Sequence, residues 1–139
     1  MDLIQTSYMG LRKGRRLSCC TGGTLIRAVP TVISDLVEEA IAQNKSLSSL
    51  ETLNAGGAKR PPPNVEREKK ALPSTDISSG YGMTETNALG VSISGDEYLE
   101  NPELAGRLIG VLQDIKIVDE NDKVVKSGEV GEIAIKSPA

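Results

Sequence analysis

Apolar residues recur along this chain with two different periods, and the change of period divides it. Between residues 30 and 43, Val32, Ile33, Leu36, Val37, Ala40 and Ile41 stand three and four apart. That spacing gathers apolar side chains on one face of a helix, and Pro30 suits its first position, where a missing N–H costs nothing. From Asp114 onward the period becomes two: Ile115 and Ile117, then Ile133 and Ile135, with polar residues between. This alternation predicts half-buried antiparallel strands, with a hairpin connection at Asp119-Glu120-Asn121-Asp122.

The remaining elements follow from shorter signals. Thr24–Val29 is apolar and rich in branched residues, and so is a strand. Ser46–Ser49 is a polar turn, and Leu50–Asn54 is a second strand that runs into Gly56-Gly57. In Pro61-Pro62-Pro63 the last proline starts a second helix, supported by Glu66 and Lys70 one turn apart. Pro73 closes it, because the residue before a proline avoids helical backbone. Thr75–Ser78 is a third short strand that delivers the chain to Gly80, and Ala88–Ser94 is a further strand. Gly95–Glu103 reads as loop with a turn of helix near Pro102.

The order β-α-β-α-β places the chain in the α/β class: a three-layer-like parallel sheet with helices on its faces, followed by antiparallel hairpin strands. The expected organisation is a poorly defined segment over 1–23, an α/β subdomain over 24–110, and a β-hairpin segment over 111–139. In open α/β sheets ligands bind beyond the carboxyl ends of the strands. Gly56-Gly57-Ala58 and Gly80–Glu85 both follow strands, so the architecture puts both on one edge.

Composition narrows the chemistry. The 139 residues contain no Phe, Trp or His and three Tyr, so the core rests on aliphatic side chains. The net charge of −3 hides a basic cluster (Arg12, Lys13, Arg15, Arg16) and an acidic stretch over 94–122. Without interleaved aromatics the basic cluster reads as a solvated face rather than a nucleic-acid patch. Cys19 and Cys20 are adjacent and have no partners elsewhere, which gives neither zinc spacing nor a disulfide framework and suits a reducing cytoplasm. No run approaches the ~20 apolar residues of a membrane span, and the start lacks the apolar core of a signal peptide. Asp119–Asp122 lacks the glycine and the final glutamate of a calcium loop. Thr21-Gly22-Gly23-Thr24 lacks the lysine of a phosphate loop.

The stretch with chemistry in it is Gly80-Tyr81-Gly82-Met83-Thr84-Glu85-Thr86. A tyrosine between glycines can offer its ring face to a base. Thr84 can donate to a phosphate oxygen. Glu85 is a hard oxygen ligand of the kind that, with substrate phosphates, holds Mg²⁺. The same residues also suit a glycine-rich turn with a polar exit.

This segment resembles the signature of the adenylate-forming (AMP-binding) superfamily. The resemblance extends in order through Val29-Pro30-Thr31, Leu53–Ala58, Gly106-Arg107, Ile117-Val118-Asp119 and Gly128–Ile133. Within the superfamily the chain looks most like an internal fragment of an acyl-CoA synthetase acting on fatty or related acids. The resemblance implies a carboxylic acid, Mg-ATP and coenzyme A as reactants, with an acyl-adenylate between two half-reactions. It implies that Tyr81 stacks on adenine, that Gly80, Gly82 and Met83 lie along the nucleotide, and that Thr84 bonds the α-phosphate. It implies Glu85 as the Mg²⁺ ligand, with Thr84 and Glu85 as the catalytic pair, and Gly56, Gly57 and Ala58 lining the adenine and acyl pocket. The family's Pro-Lys-Gly phosphate loop, its ribose-binding Asp and the catalytic Lys of its C-terminal domain are not found here, and Lys59-Arg60 stands where many members have Pro-Leu. The expectation is therefore a chain inactive in adenylation by itself. Two alternatives stand beside it: a non-catalytic AMP- or ATP-binding remnant, and a fragment that self-associates, as a homodimer, through exposed sheet edges.

Overall fold

The computed structural model describes residues 24–109 and 114–136. The basic cluster at Arg12–Arg16, Cys19-Cys20, Thr21-Gly22-Gly23 and the whole segment 1–23 lie outside these residues. The elements run β1 (Leu25–Ala28), α1 (Pro30–Ala42), β2 (Thr52–Ala55), α2 (Pro62–Ala71), β3 (Asp76–Gly82), a 3₁₀ turn (Thr84–Thr86), β4 (Gly90–Ser94), α3 (Gly95–Glu100), β5 (Arg107–Leu108), β6 (Asp114–Val118) and β7 (Glu132–Lys136).

The first five strands form one sheet in the order β1-β2-β3-β4-β5, and β6 and β7 pair separately. β1, β2 and β3 are parallel, with Ala28, Ala55 and Ser79 in register. β4 then runs antiparallel to β3, and β5 antiparallel to β4. The α/β class and the parallel β-α-β-α-β core are as the sequence predicts, and the sheet as a whole is mixed.

Side-chain alternation explains how the layers form. Leu53 opposes Ile77 in the register, and Ser79, two residues on, opposes Ile93, so Leu53, Ala55, Ile77 and Ile93 share one face. Ile33 and Val37 of α1 bury against Leu53 and Ala55. Val65 of α2 and Tyr98 of α3 bury against Ile77 and Ile93. All three described helices therefore cover a single face, and the layering among the described residues is two deep rather than three. The strand order explains it: successive crossovers of the same hand that step the same way along a sheet deliver their helices to the same side. The opposite face carries Asn54, Ser78, Gly80 and Ser92, where Asn54 Nδ2 donates to Ser78 Oγ at 2.8 Å.

Three expectations change. Gly95–Glu100 is a helix, not loop, because Tyr98 is fully buried in the β3–β4 core and its packing supplies what a six-residue segment cannot show as periodicity. Glu66 and Lys70 do not pair; Arg67 bonds Glu38 of α1 instead. The turn at Asp119–Asp122 closes locally, with Asp119 N donating to Lys123 O at 2.8 Å, and the chain continues to Gly131 before β7 starts.

Candidate active site

Parallel register fixes what meets at the sheet edge. The residues that follow Ala28, Ala55 and Ser79 are Val29, Gly56 and Gly80. Gly56 N donates to Ala28 O at 3.2 Å, and a Cβ added to Gly56 would lie 3.5 Å from Gly80 O. Gly57 adopts φ +77°, with its Cβ position 3.5 Å from Val29 Cγ1. Three segments far apart in sequence are thus brought to the carboxyl ends of three adjacent strands, where open α/β sheets bind ligands. Ala58 is exposed beside them.

Gly80, Tyr81 and Gly82 are not in the loop after β3; they are its last three residues, paired with Ser92, Val91 and Gly90. The sequence could not show this, because glycine depresses strand propensity while the partner strand supplies the pairing. The glycines allow the hairpin to close. A Cβ on Gly82 would sit 2.4 Å from Ala88 O, and one on Gly90 would sit 2.4 Å from Tyr81 O. Tyr81 is 37% exposed, so the residue remains accessible at the strand end.

Beyond Gly82 the chain makes a compact loop. Met83 is half-buried, while Thr84 and Glu85 are exposed. Thr86 is buried and holds the loop from within: Met83 N donates to its hydroxyl at 3.2 Å, and the hydroxyl faces the carbonyls of Met83 and Leu89. Asn87 and Ala88 then turn back through left-handed backbone, at φ 53° and 59°. Thr86 belonged to the motif in sequence but carried no assigned role; its burial reveals one. The loop leaves the neighbouring side chains of Thr84 and Glu85 facing solvent.

Among the described residues no group of three or more acidic, His or Cys side chains is placed to hold a metal ion. Glu85 is a lone exposed carboxylate. That fits Mg²⁺, which commonly takes one or two carboxylates and completes its shell with substrate phosphates and water.

Two further features were missed by sequence reasoning. A cleft of about 460 Å³ runs from Val29–Thr31 and Ala58-Lys59 between α1 and α2, lined also by Ser34, Asn64 and Arg67. Across it Asn64 Nδ2 donates to Ser34 Oγ at 3.1 Å. The other is a buried ion pair between Arg60, just past Ala58, and Glu68 of α2. Burial pushes the Glu68 carboxyl above its usual range, and the charges of Arg60 and Arg67 oppose that rise. No spacing rule links residues eight apart across a turn, so only the fold shows it.

Comparison with known proteins agrees with this geometry. The family model described as "AMP-binding enzyme" matches residues 16–139. The chain is 33% identical over 110 residues to 4-coumarate–CoA ligase-like 9 of Arabidopsis thaliana, covering 78% of this chain and 19% of that protein. It is 32% identical over 116 residues to 2-succinylbenzoate–CoA ligase of Enterococcus faecalis, covering 84% of this chain and 23% of that protein. The chain thus spans about a fifth of the length of these relatives. Among solved structures, o-succinylbenzoate CoA synthetase of Bacillus subtilis in complex with its acyl-adenylate intermediate superposes with a TM-score of 0.70 at 31% identity, over 83% of this chain and 22% of that one. A long-chain-fatty-acid-CoA ligase from Archaeoglobus fulgidus superposes with a TM-score of 0.72 at 26% identity, over 84% of this chain and 25% of that one. The register that aligns Val29, Gly56 and Gly80 and the ordered sequence match say the same thing: this chain belongs to the AMP-binding enzyme family.

Proposed function

We propose that this chain is the nucleotide-facing segment of an ATP-dependent acyl- or aryl-CoA ligase. In that reaction a carboxylate oxygen attacks the α-phosphorus of ATP, the bond to pyrophosphate breaks, and an acyl-adenylate forms. The thiol of coenzyme A then attacks the acyl carbon and AMP leaves. The observation that carries the reading is the juxtaposition of Gly56 and Gly80 on adjacent strands, where a Cβ added to Gly56 would lie 3.5 Å from Gly80 O, beside an exposed Tyr81.

Each residue has a role in this reading. Tyr81 stacks on adenine, as aromatic rings do with any base. Thr84 donates its hydroxyl to an α-phosphate oxygen, a donor aimed where charge develops as phosphorus is attacked. Gly56, Gly57 and Ala58 form the wall against which adenine and the acyl group lie. Gly82 acts by letting the β3–β4 hairpin close, which brings Met83 and Thr84 up to the nucleotide. Glu85 would hold Mg²⁺ together with the phosphates, and the metal would supply Lewis-acid stabilisation of the phosphoryl oxygens. The acid is of the aromatic or fatty class. In this reading the chain by itself binds nucleotide through these residues.

The test is titration of the ¹⁵N-labelled chain with AMP and Mg-ATP, with Tyr81→Ala as control. Shifts at Gly56–Ala58 and Gly80–Glu85 that vanish in Tyr81→Ala support the reading. A folded chain unchanged at millimolar nucleotide overturns it.

A further inference from the structure

The Arg60–Glu68 pair has no part in the nucleotide chemistry above, yet it is the most deeply buried charge in the described residues. Arg60 is 2% and Glu68 0% exposed. Arg60 Nη2 contacts Glu68 Oε2, and Arg60 Nη1 donates to Ser78 O at 3.2 Å. By hydrogen-bond geometry Arg60 Nε and Nη2 and both Glu68 carboxylate oxygens are left without a partner among the described residues. A buried pair with unsatisfied atoms is a poor source of stability, and apolar replacements of similar volume are often neutral or stabilising. Its placement is more informative. Arg60 lies two residues beyond Ala58, and Ser78 lies two residues before Gly80. One guanidinium therefore ties together the loop after β2, helix α2 and strand β3.

The loop needs such a tie. Gly57 holds a left-handed backbone, and Gly57, Ala58 and Lys59 are exposed. The buried side chains of α2 are Val65 and Glu68, so the carboxylate is one of the two side chains that the helix buries. A planar guanidinium can bond a carboxylate and a carbonyl at fixed angles, which neither a lysine nor an apolar side chain does.

We propose that Arg60 is a positioning residue, with Glu68 as its fixed counter-charge, that sets the Gly56–Ala58 wall at its distance from Gly80. The proposal rests on the reading of that edge as nucleotide-facing. The experiment compares ¹⁵N relaxation at Gly56, Gly57 and Ala58, and AMP affinity, in the parent chain, Arg60→Leu/Glu68→Leu and Arg60→Lys. The double variant is expected to fold, with transverse relaxation at Gly57 and Ala58 changed about twofold as the loop gains slower motions, and with AMP affinity lowered about tenfold through lost preorganisation. Arg60→Lys keeps the charge and loses the fork, so it folds and shows a smaller change in the same residues. Should the double variant fail to fold, Arg60→Lys carries the test. Parent-like relaxation at Gly57 and Ala58 in every folded variant overturns the proposal. Relaxation is read without ligand, so a parent chain that ignores AMP overturns the nucleotide reading while the positioning result still stands or falls on its own.

Discussion

The Cβ position of Gly82 lies 2.4 Å from the carbonyl oxygen of Ala88, so the β3–β4 hairpin closes only because residue 82 has no side chain. Gly56, by contrast, has its Cβ position 3.5 Å from Gly80 O, an ordinary contact. Gly82→Ala is therefore expected to destabilise the chain by about 1–3 kcal/mol, the cost of overpacking against backbone that cannot yield. Gly56→Ala should stay within about 0.5 kcal/mol of the parent. Urea denaturation of the two variants checks the contrast; equal midpoints would show that the hairpin can relax.

Thr86 does for the loop from inside what Gly82 does from outside. Its hydroxyl accepts from Met83 N and faces two carbonyls in a buried setting. Thr86→Val keeps the shape and leaves those groups unanswered, an expected loss of about 1–3 kcal/mol. Thr86→Ser restores the hydroxyl and should recover most of it. The same thermal or urea titration reads both. A Val variant as stable as the Ser variant would mean that the loop is held by its backbone bonds alone.

Much of this fold was legible in the sequence, and the reasons are local. The spacing of Val32 to Ile41 is a helix signal that needs no tertiary knowledge, and Pro30 and Pro73 mark boundaries by covalent geometry. Gly56-Gly57-Ala58 was legible at the sheet edge because it directly follows a strand. What was hidden depends on partners distant in sequence. Gly80–Gly82 are strand because Gly90–Ser92 lies beside them, and Gly95–Glu100 is helix because Tyr98 finds the Ile77–Ile93 core. Arg60 meets Glu68 only once α2 folds back over β3. The single covered face follows from the direction in which the strands step, which no periodicity reports.

Glu68 gives the pair a pH signature. Burial raises its carboxyl above the ordinary value of 4.5, against the pull of Arg60 and Arg67. A group whose folded-state pKa is raised contributes stability that is whole below the unfolded pKa and is lost as pH rises through the folded one. The stability of the parent relative to Glu68→Gln should therefore be greatest near and below pH 4.5 and fall as pH rises above it. Denaturation of both chains across that range provides the check. A relative stability that climbs with pH would mean that attraction to Arg60 outweighs desolvation.

Glu85 allows the metal to be separated from the base. Its side chain is exposed and makes no hydrogen bond among the described residues, so Glu85→Gln should change stability by less than about 0.5 kcal/mol. If it meets nucleotide through Mg²⁺, its charge matters only when metal and phosphates are both present. AMP without metal, bound through Tyr81 and the glycine wall, should then bind parent and Glu85→Gln alike. Mg-ATP should bind the variant about tenfold more weakly, a loss of roughly 1.4 kcal/mol. Thr84→Ala should weaken both nucleotides, since each carries an α-phosphate for its hydroxyl. Titrating the three chains with AMP in EDTA and with Mg-ATP gives the pattern directly. Equal losses for both nucleotides in Glu85→Gln would move Glu85 from the metal to the loop's own architecture. No loss in either would remove Glu85 from the site.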